Sequence, residues 1–112
     1  MVRPEPGGSV IQPSVTVIDR VVFPAGEAGS WLDRLRTEYA TGACQRGMRL
    51  ADTWWCYVGA DAIEVTVRWE LPDVSSFWAM RHAARSDRSL ATWWAETDAV
   101  ALERHRTVCS SL

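Results

Sequence analysis

The segment that decides the fold is Ile63-Glu64-Val65-Thr66-Val67-Arg68-Trp69-Glu70-Leu71, whose strict alternation of apolar and polar residues has the period of a β-strand with one face buried. Ile63, Val65, Val67, Trp69 and Leu71 form its inner face, and Glu64, Thr66, Arg68 and Glu70 its outer face. Immediately upstream, Gly59-Ala60-Asp61 separates it from a second strand-like run, Met48 to Val58, and the two are read as a hairpin. That partner is aromatic on both faces, with Trp54, Cys56 and Val58 on one side and Trp55 and Tyr57 on the other. Downstream, Pro72-Asp73 stops the strand, and Asp73 is placed to cap a helix through Val74, Phe77, Met80 and Ala84. Ser86-Asp87 breaks that helix. A further helix follows, with Leu90, Trp93, Trp94, Thr97, Val100 and Ala101 on one face, and His105-Arg106-Thr107-Val108-Cys109 offers a short last strand.

Toward the N-terminus, Ser14 to Phe23 is rich in β-branched residues and reads as the first strand, ended by a Pro24-Ala25-Gly26 turn. Ser30-Trp31-Leu32-Asp33 has the form of a capping box, and Trp31, Leu35 and Tyr39 recur at four-residue spacing, so a helix is expected from about Trp31 to Cys44. Residues 1–13, with three of the five prolines and a Gly7-Gly8 pair, read as a flexible leader, and residues 14–112 as one domain. The order β-α-β-β-α-α-β predicts an α+β, ferredoxin-like antiparallel sheet with helices on one face. At 112 residues the bare face is most simply buried by a second copy, so a homodimer packed sheet to sheet is expected, with the hairpin strand that is apolar on both faces near the seam.

Composition narrows the chemistry. Twelve basic against fourteen acidic residues give a charge of −2 with no basic block, which argues against nucleic acid as a partner. No apolar run approaches the roughly 18 residues of a membrane span and the first residues have no signal-peptide core, so a cytoplasmic location is expected. Cys44, Cys56 and Cys109 show no ligand spacing, so reduced, structural thiols are expected, with no metal site. All twelve basic residues are arginine, which excludes lysine Schiff-base chemistry. Nucleotide-binding, zincin and α/β-hydrolase motifs are missing. Seven tryptophans among eleven aromatic residues suggest a pocket walled by flat rings, with Trp54, Trp69, Trp78, Trp93, Trp94, Tyr39 and Phe23 as substrate-binding candidates.

Asp19 shares a strand face with Val15, Val17, Val21 and Phe23, where an ionised carboxylate is costly and suited to acid–base work; the alternative is an ion pair with an arginine at the strand edge. His82, on the helix edge four residues after Trp78, could act as a proton shuttle at the pocket mouth or be an exposed surface histidine. Arg81 projects nearer the apolar face, where it would meet an acid such as Asp19 or an oxygen-rich ligand, or snorkel to solvent.

Asp19-Arg20-Val21-Val22-Phe23-Pro24-Ala25-Gly26 and Arg68-Trp69-Glu70-Leu71-Pro72-Asp73 resemble two landmarks of the dimeric α/β-barrel superfamily: a first strand ending in Pro-x-Gly, and a third strand ending in Trp plus a charged residue. That group includes antibiotic-biosynthesis monooxygenases, haem-degrading oxygenases, small polyketide cyclases, aldoxime dehydratases and NIPSNAP-type proteins, and the similarity spans about residues 14–110. The haem-degrading branch carries Asn, Trp and His at places near Asp19, Trp69 and His82, with Asp here in place of Asn. The resemblance implies a pocket between sheet and helices and, for several members, no metal or organic cofactor. The leading expectation is a cofactor-independent cyclase, isomerase or dehydratase acting on a hydrophobic aromatic or polyketide-like substrate in specialised metabolism, with Asp19, His82 and Arg81 catalytic. The alternatives are a cofactor-free monooxygenase on a similar substrate and a non-catalytic hydrophobic-ligand carrier.

Overall fold

The computed structural model describes residues 13–111; the leader assigned to residues 1–13 falls, apart from Pro13, outside them. Four strands, β1 (Val15–Pro24), β2 (Arg49–Tyr57), β3 (Ala62–Leu71) and β4 (Glu103–Ser110), form one sheet in the order β2-β3-β1-β4 with every pairing antiparallel. The helices are α1 (Ala25–Arg34), α2 (Ala40–Gln45), α3 (Val74–Ala84) and α4 (Arg88–Val100). A π-helical turn, Leu35–Tyr39, joins α1 to α2 without a break. This is the ferredoxin-like α+β fold expected from the element order: a sheet with its helices on one face and the other face uncovered.

The alternation in β3 sets the layers. Val65, Val67 and Trp69 are fully buried against the helices, and the register places Val21, Asp19 and Val17 of β1 directly opposite them. Asp19 therefore lies in the middle of an otherwise apolar row, as the spacing predicted. The outer face carries Thr16, Ile18, Arg20 and Val22 of β1 between Glu64–Glu70 of β3 and Glu103–Cys109 of β4. It is more polar than a sheet-to-sheet seam of apolar strands would be. Arg49, Asp52, Arg68 and Glu70 form a chain of ion pairs across it.

Three expectations need correction. The first helix begins at Ala25, directly after Pro24, rather than near Trp31, so Pro24-Ala25-Gly26 is a helix start and not a turn. Proline's fixed φ and missing N–H suit it to a helix N-terminus, and Ala28 is drawn into the core with no exposure at all. Ser30, read as a capping residue, sits inside α1 and its hydroxyl donates to the Glu27 carbonyl at 3.3 Å. Second, Trp54, expected to wall the pocket, lies on the edge strand β2 and is 46% exposed, as Trp55 and Tyr57 are at 41% and 77%. Third, Cys44, Cys56 and Cys109 are exposed rather than structural.

The predicted breaks hold. The Asp73 carboxylate accepts from the Ser76 N–H at 2.7 Å and Asp87 accepts from those of Ser89 and Leu90, so each aspartate starts the helix that follows it. The α2 end is closed by Gly47 at φ +93°, a conformation that a side chain would strain.

Candidate functional site

The space between sheet and helices is filled by aromatic rings in sequence. Phe23 packs on Trp31 with ring centroids 5.0 Å apart, Trp31 on Trp93 at 5.5 Å, and Trp93 stacks on Tyr39 at 5.1 Å. Tyr39 also meets Trp69 edge-on at 5.4 Å and Trp94 at 5.6 Å. Such offset and edge contacts are the favourable ring geometries, and each adds about 0.5–1.5 kcal/mol beyond area burial. Trp31 Nε1 donates to Thr97 Oγ1 at 2.8 Å, which satisfies both groups in the interior. Phe23 and Trp69 are thus core, with no exposure.

Asp19 is enclosed at the sheet end of this stack. The guanidinium of Arg106, one strand over in register, grips it through two bonds, Nε to Oδ1 at 2.6 Å and Nη2 to Oδ2 at 2.8 Å. Trp69 Nε1 adds a third donor to Oδ2 at 3.0 Å. Burial alone would lower the Arg106 pKa, but the bonds and charge of Asp19, aided by Tyr39, reverse this and hold it above the ordinary arginine value. Tyr39 lies against the pair. Burial, ahead of the neighbouring charges, raises its phenol above the usual value of 10. Arg106 and Arg104 both lie over Trp94, at 5.6 and 4.4 Å.

The partner of Asp19 is therefore Arg106 and not Arg81. Arg81 and His82 are exposed on α3, where they line a shallow groove with Trp78 and Arg85. Of the three candidate catalytic residues the structure encloses Asp19 with Trp69 and places Arg81 and His82 together elsewhere. Phe77 and Met80 take the inward positions of α3, which turns His82 outward, while Arg81, one turn after Phe77, passes that ring with its guanidinium 6.0 Å from the centroid and ends in solvent. Trp78 is 61% exposed for the same reason, and Trp54 lies on the open sheet face opposite Thr66.

Open space lies instead above the aromatic stack, between the α1–α2 segment and α4. A cleft of about 400 Å³ is lined there by Arg34, Tyr39, Arg46, Leu90, Trp93 and Glu96, among others. Arg34 bridges it, bonding Glu38 at 3.1 Å and Glu96 at 3.0 Å while its guanidinium lies 5.2 Å from the Trp93 ring centroid. Arg46 bonds Asp87 at 3.0 Å and lies 5.8 Å from the Tyr39 ring. The π-helical turn inserts an extra residue into this wall, a device frequent at functional sites, and Glu38 and Tyr39 belong to it. Of the aromatic binding candidates, Tyr39 and Trp93 reach the cleft.

Sequence reasoning passed over Arg34, Arg46 and Arg106. A signal existed for Arg106: alternation in β4 puts it on the face of Val108, the same face as Asp19 once the strands are in register. Nothing local marks Arg46, because the cleft it lines is made by helices distant in sequence.

The fold and the buried Asp19–Arg106 centre define a ferredoxin-like α+β protein with a helix-side cleft. No family model and no curated protein matches the sequence. Among solved structures the chain is similar to a NIPSNAP family protein of unknown function from Agrobacterium tumefaciens, with a TM-score of 0.69 at 10% identity over 91% of this chain and 90% of that one. It is similar also to an uncharacterised NIPSNAP domain protein from Burkholderia xenovorans (TM-score 0.65, 16% identity, 88% and 94% covered). A dimeric ferredoxin-like protein from an uncultured marine organism aligns with a TM-score of 0.66 at 14% identity, over 90% and 97%. These likenesses concern the fold. Among the described residues no helix is long and apolar enough to cross a membrane.

Proposed function

We propose that the chain works as a homodimer, two copies burying their open sheet faces, and that each copy binds a hydrophobic aromatic or polyketide-like molecule in the cleft between α1–α2 and α4. The carrier reading fits the geometry best. The observation that carries it is the state of Asp19, whose two oxygens accept three hydrogen bonds from Arg106 and Trp69, beneath a stack of rings that leaves the cleft on its far side. In this role Asp19 and Arg106 anchor the wall on which the cleft is built. A likeness in fold to a protein described as dimeric supports the homodimer, as does the apolar surface that Ile18 and Trp54 leave on the otherwise polar open face.

A second reading is favoured by one contact. Tyr39 both lines the cleft and lies beside the Asp19–Arg106 pair, so its phenol, kept protonated by burial, could deliver a proton in a cyclisation, isomerisation or dehydration. A cofactor-free monooxygenase would use the same pocket. The test is co-crystallisation of the full chain with 1-naphthol and with a linear aromatic polyketide, together with mass analysis of each molecule after incubation in air and under nitrogen. Density for the ring against Tyr39, Trp93 and Leu90 with the molecule unchanged supports the carrier. An isomer or a dehydrated product formed in both atmospheres supports acid–base catalysis, and gain of oxygen in air alone the monooxygenase. Absence of any ligand from the cleft overturns the proposal.

A further inference from the structure

The Arg34 guanidinium sits in surroundings that suit any organic cation. The Trp93 ring lies beneath it with its centroid 5.2 Å away, Glu38 in the π-helical turn accepts from Nε and Nη2 at 3.1 and 3.2 Å, and Glu96 of α4 accepts from Nη2 at 3.0 Å. Aromatic faces attract cations through the ring quadrupole, and carboxylates add charged acceptors. The hold on Arg34 is nevertheless weak. Its side chain and those of Glu38 and Glu96 are 45%, 56% and 51% exposed, and ion pairs so exposed gain little over solvation and side-chain entropy.

Open space adjoins the ion pair. Arg34 and Glu96 line both the cleft of about 400 Å³ and a neighbouring hollow of about 270 Å³, whose walls include Glu27, Trp31 and Val100. The guanidinium therefore has room to move aside. Because Arg46 is matched by Asp87, the three carboxylates Glu27, Glu38 and Glu96 stand against Arg34 alone, and the groove keeps a surplus of negative charge even with Arg34 in place. Such a surplus favours a cation over an anion. Resting on the binding role proposed above, we infer that the cleft takes an aromatic organic cation, its ring against Tyr39, Leu90 and Trp93 and its ammonium between Glu38 and Glu96, in the position that the Arg34 guanidinium holds in this structure. Arg34 is then a built-in competitor, which turns away when the ligand enters. An ammonium brings three donors, and Glu96 accepts from Arg34 through Oε1 alone, so its carboxylate has further acceptor capacity.

The test is calorimetric titration of the full chain with 2-(aminomethyl)naphthalene, 2-(hydroxymethyl)naphthalene and 2-naphthoate, which share a ring and carry a positive, a neutral and a negative group. Expected are amine binding tighter than that of the alcohol by about tenfold or more, naphthoate weakest, and an amine advantage that shrinks as salt rises. Arg34→Met keeps an apolar stem and removes the competitor, so amine affinity should rise by about another tenfold while that of the alcohol stays within about threefold. Arg36→Met removes the same charge from a neighbouring exposed position, where the guanidinium bonds Thr53 away from the cleft, and should change amine affinity by less than about threefold. Glu96→Gln in the Arg34→Met background should remove most of the amine advantage. The comparison of the three probes in the unsubstituted chain decides independently of how any variant folds. Equal binding of amine and alcohol, preference for naphthoate, or a gain from Arg34→Met no larger than that from Arg36→Met overturns the inference and leaves the cleft as a site for other hydrophobes. Failure of all three probes to bind, in the unsubstituted chain and in Arg34→Met alike, overturns the inference and the binding role together.

Discussion

Replacing Asp19 by Asn separates an anchoring role from a catalytic one. The substitution keeps shape and one acceptor but removes the charge that faces Arg106, leaving a guanidinium with its main partner halved. Breaking a buried pair from one side typically costs about 3–5 kcal/mol, because the orphaned charge stays in the interior. The Asp19 side chain is 3% exposed and that of Arg106 27%, so water takes up part of the loss and the expectation drops to about 2–3 kcal/mol. For a domain of 112 residues this lowers Tm by about 10 °C. The assay is urea unfolding at one fixed protein concentration, since the proposed dimer would make stability depend on it. Arg106→Gln and the double substitution complete a cycle, and the double variant should lose clearly less than the two single losses together. A loss from Asp19→Asn below about 0.5 kcal/mol, the range of surface substitutions, would refute the anchoring role. If turnover of a bound molecule vanished in that same variant while binding persisted, Asp19 would instead be a catalytic group.

Other perturbations reach other parts of the molecule. Ile18→Arg puts a charge in the middle of the open sheet face, in register with Arg68 and Thr107, and sedimentation equilibrium should then report a single-chain mass where the unsubstituted protein gives twice that; an unchanged mass rules out this face as the seam. Gly47→Ala meets no neighbouring atom but adopts a left-handed conformation, so a loss of about 1 kcal/mol in thermal unfolding is expected from backbone strain alone. The Tyr39 phenol has its folded pKa raised, so the stability it contributes is full below about pH 10, where the unfolded group titrates, and is lost as pH rises toward the folded value. Tyr39→Phe should therefore flatten the alkaline end of the stability curve measured between pH 9 and pH 12, and an unaltered slope would place the loss at another group.

Alternation along residues 63–71, the β-branched run of β1 and the aspartates at positions 73 and 87 are local signals, each tied to a period or a cap that one segment expresses by itself. They determined the element order, and with it the ferredoxin-like layering and the inward face of Asp19. The start of α1 escaped them because Gly26 and Gly29 weaken local helix preference, and burial of Ala28 and Trp31 against the sheet supplied what propensity lacked. Partnership was decided only in three dimensions. Arg106 lies 87 positions from Asp19 and reaches it through the pairing of β1 with β4, while Arg46 and Trp93 share a cleft because helices far apart in the chain meet over the same tyrosine. Sequence spacing sets which face a side chain takes within its own element; which of the twelve arginines meets the buried carboxylate depends on strand register and helix packing, which no single segment contains.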